Sequence, residues 1–137
     1  MLKIQILYRS NVKITAAQFI DLLKRSTLDQ RRPVDEPVRI QQMLDHGNVL
    51  ITAWVDQTLV GVSRALTDFS FCCYLSDLAV DERYQRQGIG KELVRLTHEK
   101  AGEATTLILL AAPAAASYYP KIGMEQFSDC FLIKRKV

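Results

Sequence analysis

Two histidines and three cysteines are all that this 137-residue chain offers a metal centre or a disulfide framework, and none of them stands at a ligand spacing. His46 and His98 have no His-x-x-x-His partner, so both read as structural. Cys72 and Cys73 are adjacent and would point to opposite faces of a strand, while Cys130 is distant. The odd count and missing spacing exclude a disulfide scaffold and a zinc site. No histidine lies near a cysteine to activate it as a nucleophile, and reduced thiols suit a cytoplasmic protein.

Long apolar runs and one-sided charge are lacking too. The longest run, Leu107 to Ala116, is broken by Pro113 and falls far short of a membrane span. Met1 to Tyr8 carries Lys3 and Gln5 between Leu2, Ile4 and Ile6, which is the period of a half-buried strand and not of a signal peptide. A net charge of +3, with one basic cluster at Lys134-Arg135-Lys136, argues against a nucleic-acid partner. No linker, repeat or low-complexity tract divides the chain, so residues 1–137 read as one domain.

What is present alternates between helical and strand patterns. Thr15-Ala16-Ala17-Gln18 is a capping box, with Ile14 and Phe19 spaced as a hydrophobic staple, and Phe19, Leu22 and Leu23 form the stripe of the helix that follows. Pro33 and Pro37 interrupt regular structure, and a second helix with Ile40, Met43 and Leu44 on one side closes at Gly47. Val49 to Val55, Leu59 to Leu66 and Phe71 to Val80 are β-rich runs separated by short polar turns, a meander in which Gly61 marks a bulge. A third helix from about Gly88 to Gly102 buries Ile89, Leu93 and Leu96, and Thr105 to Ala112 reads as a buried central strand reached by a right-handed crossover. A short helix and a last strand complete a mixed α/β fold, one sheet with helices on both faces.

Chemistry concentrates between the run Leu78-Ala79-Val80 and the third helix, at Gln85-Arg86-Gln87-Gly88-Ile89-Gly90-Lys91. A strand leading through a polar turn into a glycine-opened helix aims several N–H groups and the helix's positive end at one spot, which suits a phosphate. A P-loop would need glycine at position 85 and serine or threonine at 92, where Gln85 and Glu92 stand. A dinucleotide fingerprint would need a small residue at Leu93.

The pattern Gln/Arg-x-x-Gly-x-Gly/Ala, met by Gln85, Gly88 and Gly90, resembles that of the GNAT superfamily of acyl-CoA-dependent N-acetyltransferases. A second match lies at Tyr118-Tyr119-Pro120-Lys121-Ile122-Gly123-Met124, which resembles the family's aromatic-Tyr-x-x-x-Gly-Phe segment; Pro120, Met124 and Pro113 depart from it. The resemblance implies a single-domain GNAT-like fold with a mixed, mostly antiparallel sheet. It implies acetyl-CoA as acyl donor, its diphosphate held by N–H groups from Arg86 to Lys91 and its pantetheine paired like a peptide along Leu78, Ala79 and Val80. No metal is implied.

Tyr119 falls on the family position that protonates the departing thiolate, with a pKa near that of an alkyl thiol. Tyr118 reads as packing. Asp77, at the strand that meets the donor, is the best-placed carboxylate for a general base, with water as the alternative; Asp81 and Glu82 read as solvated turn residues. Ser26 to Asp45 would line the acceptor site. The expected reaction is acetylation of a primary amine of a small molecule, and the segment from Leu59 to Asp77 also resembles members that act on arylalkylamines. A noncatalytic acyl-CoA-binding module and a purely structural domain are the alternatives. Relatives are often dimers through their last strands, so the resemblance allows a homodimer.

Overall fold

A computed structural model describes residues 4–137. Five strands form one sheet in sequence order: β1 (Leu7–Ser10), β2 (Val49–Val55), β3 (Thr58–Thr67), β4 (Cys72–Val80) and β5 (Thr106–Ile108). The first four pair antiparallel, and β5 lies parallel to β4 across the crossover helix α3 (Ile89–Ala101). α1 (Ala16–Arg25) and α2 (Pro37–His46) cover the opposite face, and α4 (Tyr118–Lys121) follows β5. This is the mixed, mostly antiparallel sheet with helices on both faces that the sequence implied.

α1 begins where its cap dictates. The Thr15 hydroxyl accepts from the Gln18 N–H at 3.0 Å, and the Gln18 side chain accepts from the Thr15 N–H at 2.8 Å. Phe19, Leu22 and Leu23 are fully buried and, with Ile14 and Ile40, pack on Trp54, Leu59, Val62 and Ala79. On the other face Ile89, Leu93 and Ala101 of α3 pack on Ile51, Ala53, Val60, Cys73 and Leu75. Each Phe, Leu, Ile or Val among them contributes about 1.5–3 kcal/mol through burial, so the two layers hold the sheet from both sides.

Several local expectations change. The α3 stripe runs through Thr97, which is fully buried, and Leu96 is only partly so. The Thr97 hydroxyl meets the Leu93 carbonyl at 2.7 Å and Ser63 Oγ at 2.6 Å, which removes the cost of burying it. Pro37 starts a helix instead of stopping one, since its missing N–H is not needed at the first turn. Gly47 closes α2 without a left-handed turn; an added Cβ would lie 3.0 Å from Arg64 Cγ, so its smallness makes room for that side chain. The bulge expected at Gly61 falls on its neighbour, because Ala53 pairs with Gly61 and Trp54 with Leu59, leaving Val60 over.

The strands at the sheet's edges are shorter than expected. Met1–Lys3 of the expected first strand lie outside the described residues, and Ile4–Ile6 precede the strand that forms. Leu7 pairs with Trp54 and β2 ends at Val55, so residues before Ile6 have no ladder to join. β5 is three residues at the sheet edge, not a central strand over 105–112. No last strand forms after α4 among the described residues. β5 itself ends at Ile108, and Phe127, Phe131 and Ile133 remain exposed.

The early end of β5 follows from β4. Arg64 pairs with Asp77 and Ala65 with Leu75, so Ser76 is an extra residue in β4. Such a bulge bends and twists its strand. β4 and β5 stay paired only through Cys72–Tyr74 and part beyond it.

Candidate active site

The parting of β4 from β5 leaves Leu78, Ala79 and Val80 paired to β3 on one side and to no described strand on the other. Apart from the Val80 carbonyl, which the Gln85 side chain reaches, backbone groups along that edge can take an extended ligand by strand addition. The three residues expected to do so therefore share one open edge.

Beyond Val80 the chain is tied down before it reaches the helix. Asp81 is 1% exposed, not a solvated turn residue. It accepts from Arg25 Nη1 at 2.6 Å, from the Arg83 N–H at 2.9 Å and from Arg83 Nη2 at 3.1 Å, and its own N–H donates to the Val60 carbonyl at 2.8 Å. Burial raises its pKa, but the bonds from Arg83 and Arg25 outweigh burial and keep the carboxyl below its ordinary value. Glu82 is exposed. Gln85 Nε2 donates to the Val80 carbonyl at 3.0 Å, so this side chain fastens the loop to the strand end.

The turn into α3 uses two left-handed residues, Arg86 at φ 64° and Gly88 at φ 82°. Gly88 is the N-cap and has no side chain to cap the helix, so the first N–H groups of α3 open outward. Arg86, Gln87 and Lys91 are exposed around them, while the Ile89 side chain is buried and contributes only backbone. An anion at this point meets N–H groups, the helix's positive end and two cationic side chains.

α4 brings two tyrosines to the same place. Their rings meet edge to face, 5.3 Å apart at 74°. The Tyr118 hydroxyl lies over the first turn of α3, where a Cβ added to Gly90 would be 2.6 Å from its oxygen. Gly90 is therefore needed for the approach of Tyr118, a contact for which the sequence carried no sign beyond the paired aromatics. Burial raises the pKa of Tyr118, the Lys91 N–H partly opposing it. Tyr119 is half-buried, and burial and then Tyr118 raise its pKa, so both phenols are protonated at neutral pH. Pro120 sits within the first turn of α4, and Gly123, at φ 93°, ends it with the Met124 N–H donating to the Tyr119 carbonyl at 3.1 Å.

Asp77 occupies a different setting from the one its position suggested. It is fully buried; Arg32 Nε donates to Oδ1, and Arg64 Nε donates to Oδ2 at 2.5 Å. Arg32 Nη2 reaches the Ser76 carbonyl at 2.6 Å, Arg64 Nη2 the Ser76 hydroxyl at 3.2 Å, and Arg64 Nη1 the Met43 carbonyl at 3.0 Å. One carboxylate thus holds the β4 bulge, the segment after α1 and the end of α2 together. With both oxygens bonded to guanidinium groups and neither exposed, it is poorly placed to take a proton from a bound amine.

A hollow of about 270 Å³, lined by Tyr8, Arg9 and Leu96 among others, lies between β1 and α3 and shares no residue with this site. Among the described residues no three His, Cys, Asp or Glu side chains gather as metal ligands, and no helix is long and apolar enough to cross a membrane. All three cysteines are free.

A model of the Acetyltransferase (GNAT) family matches residues 16–124, which run from the start of α1 to just past α4. The chain belongs to the GNAT acetyltransferase family. Among curated proteins it is similar to ycf52 of Porphyra purpurea, described as an uncharacterized N-acetyltransferase, at 26% identity over 89% of this chain and 72% of that one. It is 30% identical to ycf52 of Pyropia yezoensis, over 52% of this chain and 42% of that one.

Solved GNAT structures share the fold. A GNAT-family acetyltransferase of Streptococcus pneumoniae superposes with a TM-score of 0.68 at 22% identity, covering 96% of this chain and 97% of that one. An aminoglycoside N-acetyltransferase solved with coenzyme A superposes at 0.70 with 16% identity, covering 97% and 96%.

Proposed function

We propose that the chain, acting as one domain, transfers the acetyl group of acetyl-CoA to a primary amine of a small molecule. The observation that carries this reading is the continuity of the open edge at Leu78–Val80 with the left-handed turn at Arg86 and Gly88 and the uncapped start of α3. An extended chain ending in a diphosphate fits that path. The diphosphate takes backbone N–H groups between Arg86 and Lys91 and the charges of Arg86 and Lys91, and the pantetheine amides pair with the edge of β4.

The amine nitrogen attacks the thioester carbonyl, a C–N bond forms, and the C–S bond breaks with its electron pair leaving on sulfur. Tyr119 then protonates the thiolate and regains a proton from solvent; its raised pKa keeps that proton in place until a thiolate needs it. The proton of the attacking amine leaves to water, since Asp77 is committed to Arg32 and Arg64. Asp77 acts instead as a positioning residue, holding the segment from Ser26 to Asp45 against the β4 bulge as one wall of the acceptor site.

Arylalkylamines are the first acceptors to try, and the free thiols suit a cytoplasmic setting. The test is acetyl-CoA-dependent thiol release across a panel of amines, with the acetylated product identified by mass. Turnover with at least one primary amine supports the proposal. Coenzyme A binding with no thiol release from any amine would replace it with a noncatalytic acyl-CoA-binding module.

A further inference from the structure

We infer that Tyr118 is a further donor-binding residue, whose hydroxyl donates a hydrogen bond to the diphosphate of coenzyme A from its place over the first turn of the helix that faces it. The inference rests on the reading of Arg86 to Lys91 as the diphosphate loop, and deepens it by naming a residue from outside the loop.

Three observations lead to it. The N-cap of α3 is a glycine and supplies no side-chain acceptor for the first-turn N–H groups. The Tyr118 hydroxyl is brought to that first turn from α4, some 28 positions along the chain from Gly90. The hydroxyl lies so close over Gly90 that a Cβ there would be 2.6 Å away, and the side chain remains partly exposed.

A phenol carries one donor and two acceptor sites. Over Gly90 the hydroxyl can donate at the point where the helix's positive end favours an anion. A bond to a charged phosphate oxygen is among the stronger hydrogen bonds. Tyr118 therefore extends the cradle beyond the backbone. Its neighbour Tyr119 rides on the same short helix, so engaging the diphosphate at Tyr118 also fixes the proton donor.

The test compares wild type with Tyr118→Phe in binding coenzyme A, adenosine 3′-phosphate 5′-diphosphate, which keeps the diphosphate without pantetheine, and pantetheine, which lacks it. The expected result is a weakening of about tenfold or more for the first two ligands and no change for pantetheine. Equal weakening for all three would mean that the hydroxyl only props the fold. Unchanged or tighter binding of the diphosphate ligands would mean that the hydroxyl is displaced by phosphate. Either result overturns the inference. If wild type binds none of the three, the acetyl-CoA reading itself fails, and this inference with it.

The contact can be checked without any ligand. Gly90→Ala should lower the melting temperature of wild type but cost less in the Tyr118→Phe background, where the clashing oxygen is gone. Equal losses in both backgrounds would refute the placement of the hydroxyl.

Discussion

Asp77→Ala removes the carboxylate on which two guanidinium groups converge, and the cost can be worked from what each arginine has left. Arg32 has a side chain 20% exposed, so it can turn to water and lose little. Arg64 cannot, because its side chain is 7% exposed and boxed in by Gly47, the Met43 carbonyl and Ser76. Its two remaining bonds are to neutral acceptors, so its charge stays buried without a counterion. Breaking a buried pair in this way costs about 3–5 kcal/mol.

At about 4 °C per kcal/mol for a chain of this length, the melting temperature should drop by about 12–20 °C. Urea unfolding with an unchanged slope is the assay. Arg32→Ala should cost less than half as much, and Asp77→Leu combined with Arg64→Met should recover most of the loss, since both charges go together. A loss below about 1 kcal/mol for Asp77→Ala would refute the reasoning, because it would mean that Arg64 finds solvent.

Tyr119→Phe should lower turnover by about 10² to 10⁴ at saturating substrates with little change in acetyl-CoA affinity, and near-normal turnover in a rate limited by chemistry would reject the proton-donor role. Tyr119 must be protonated to act and its pKa is raised, so any loss of turnover from its ionisation should appear only above pH 10; a wild-type fall centred below that and absent from Tyr119→Phe would contradict the assignment. Acetyl-CoA at about one hundred times its dissociation constant should add roughly 2.7 kcal/mol of stability, seen as an upward shift in melting temperature. Asp68 accepts from the N–H groups of Ser70, Phe71 and Cys72, which hold its pKa at about 2. Its contribution is present above its ordinary range and lost as pH falls through that value, so the stability gap between wild type and Asp68→Ala should shrink between about pH 4 and pH 2.

The parts of this fold that could be read from sequence are those set by neighbours along the chain. The Thr15 capping box, the Phe19, Leu22 and Leu23 stripe and the glycine-opened turn into α3 each depend on spacings of a few residues. What escaped depends on partners far away. Asp81 looked like a turn residue, yet Arg25 from α1 draws it inward, and Asp77 looked available until Arg32 and Arg64 closed on it.

The same holds at the sheet's edge and in the site. A strand pattern over 105–112 could not show that the bulge at Ser76 would turn β4 away after Tyr74. The bulge is also what opens the edge at Leu78–Val80. Tyr118 reads as packing in the sequence because its hydroxyl meets Gly90 only through the fold.

The central claim is that the edge of β4 and the start of α3 form one binding path for coenzyme A. A ¹H–¹⁵N spectrum of the labelled chain, titrated with coenzyme A, tests it residue by residue. The amide signals of Arg86 to Lys91 should move most, with those of Leu78 to Val80 following and the β1 and β2 signals nearly still. No movement at millimolar coenzyme A, or movement centred on the hollow between β1 and α3, would contradict the account.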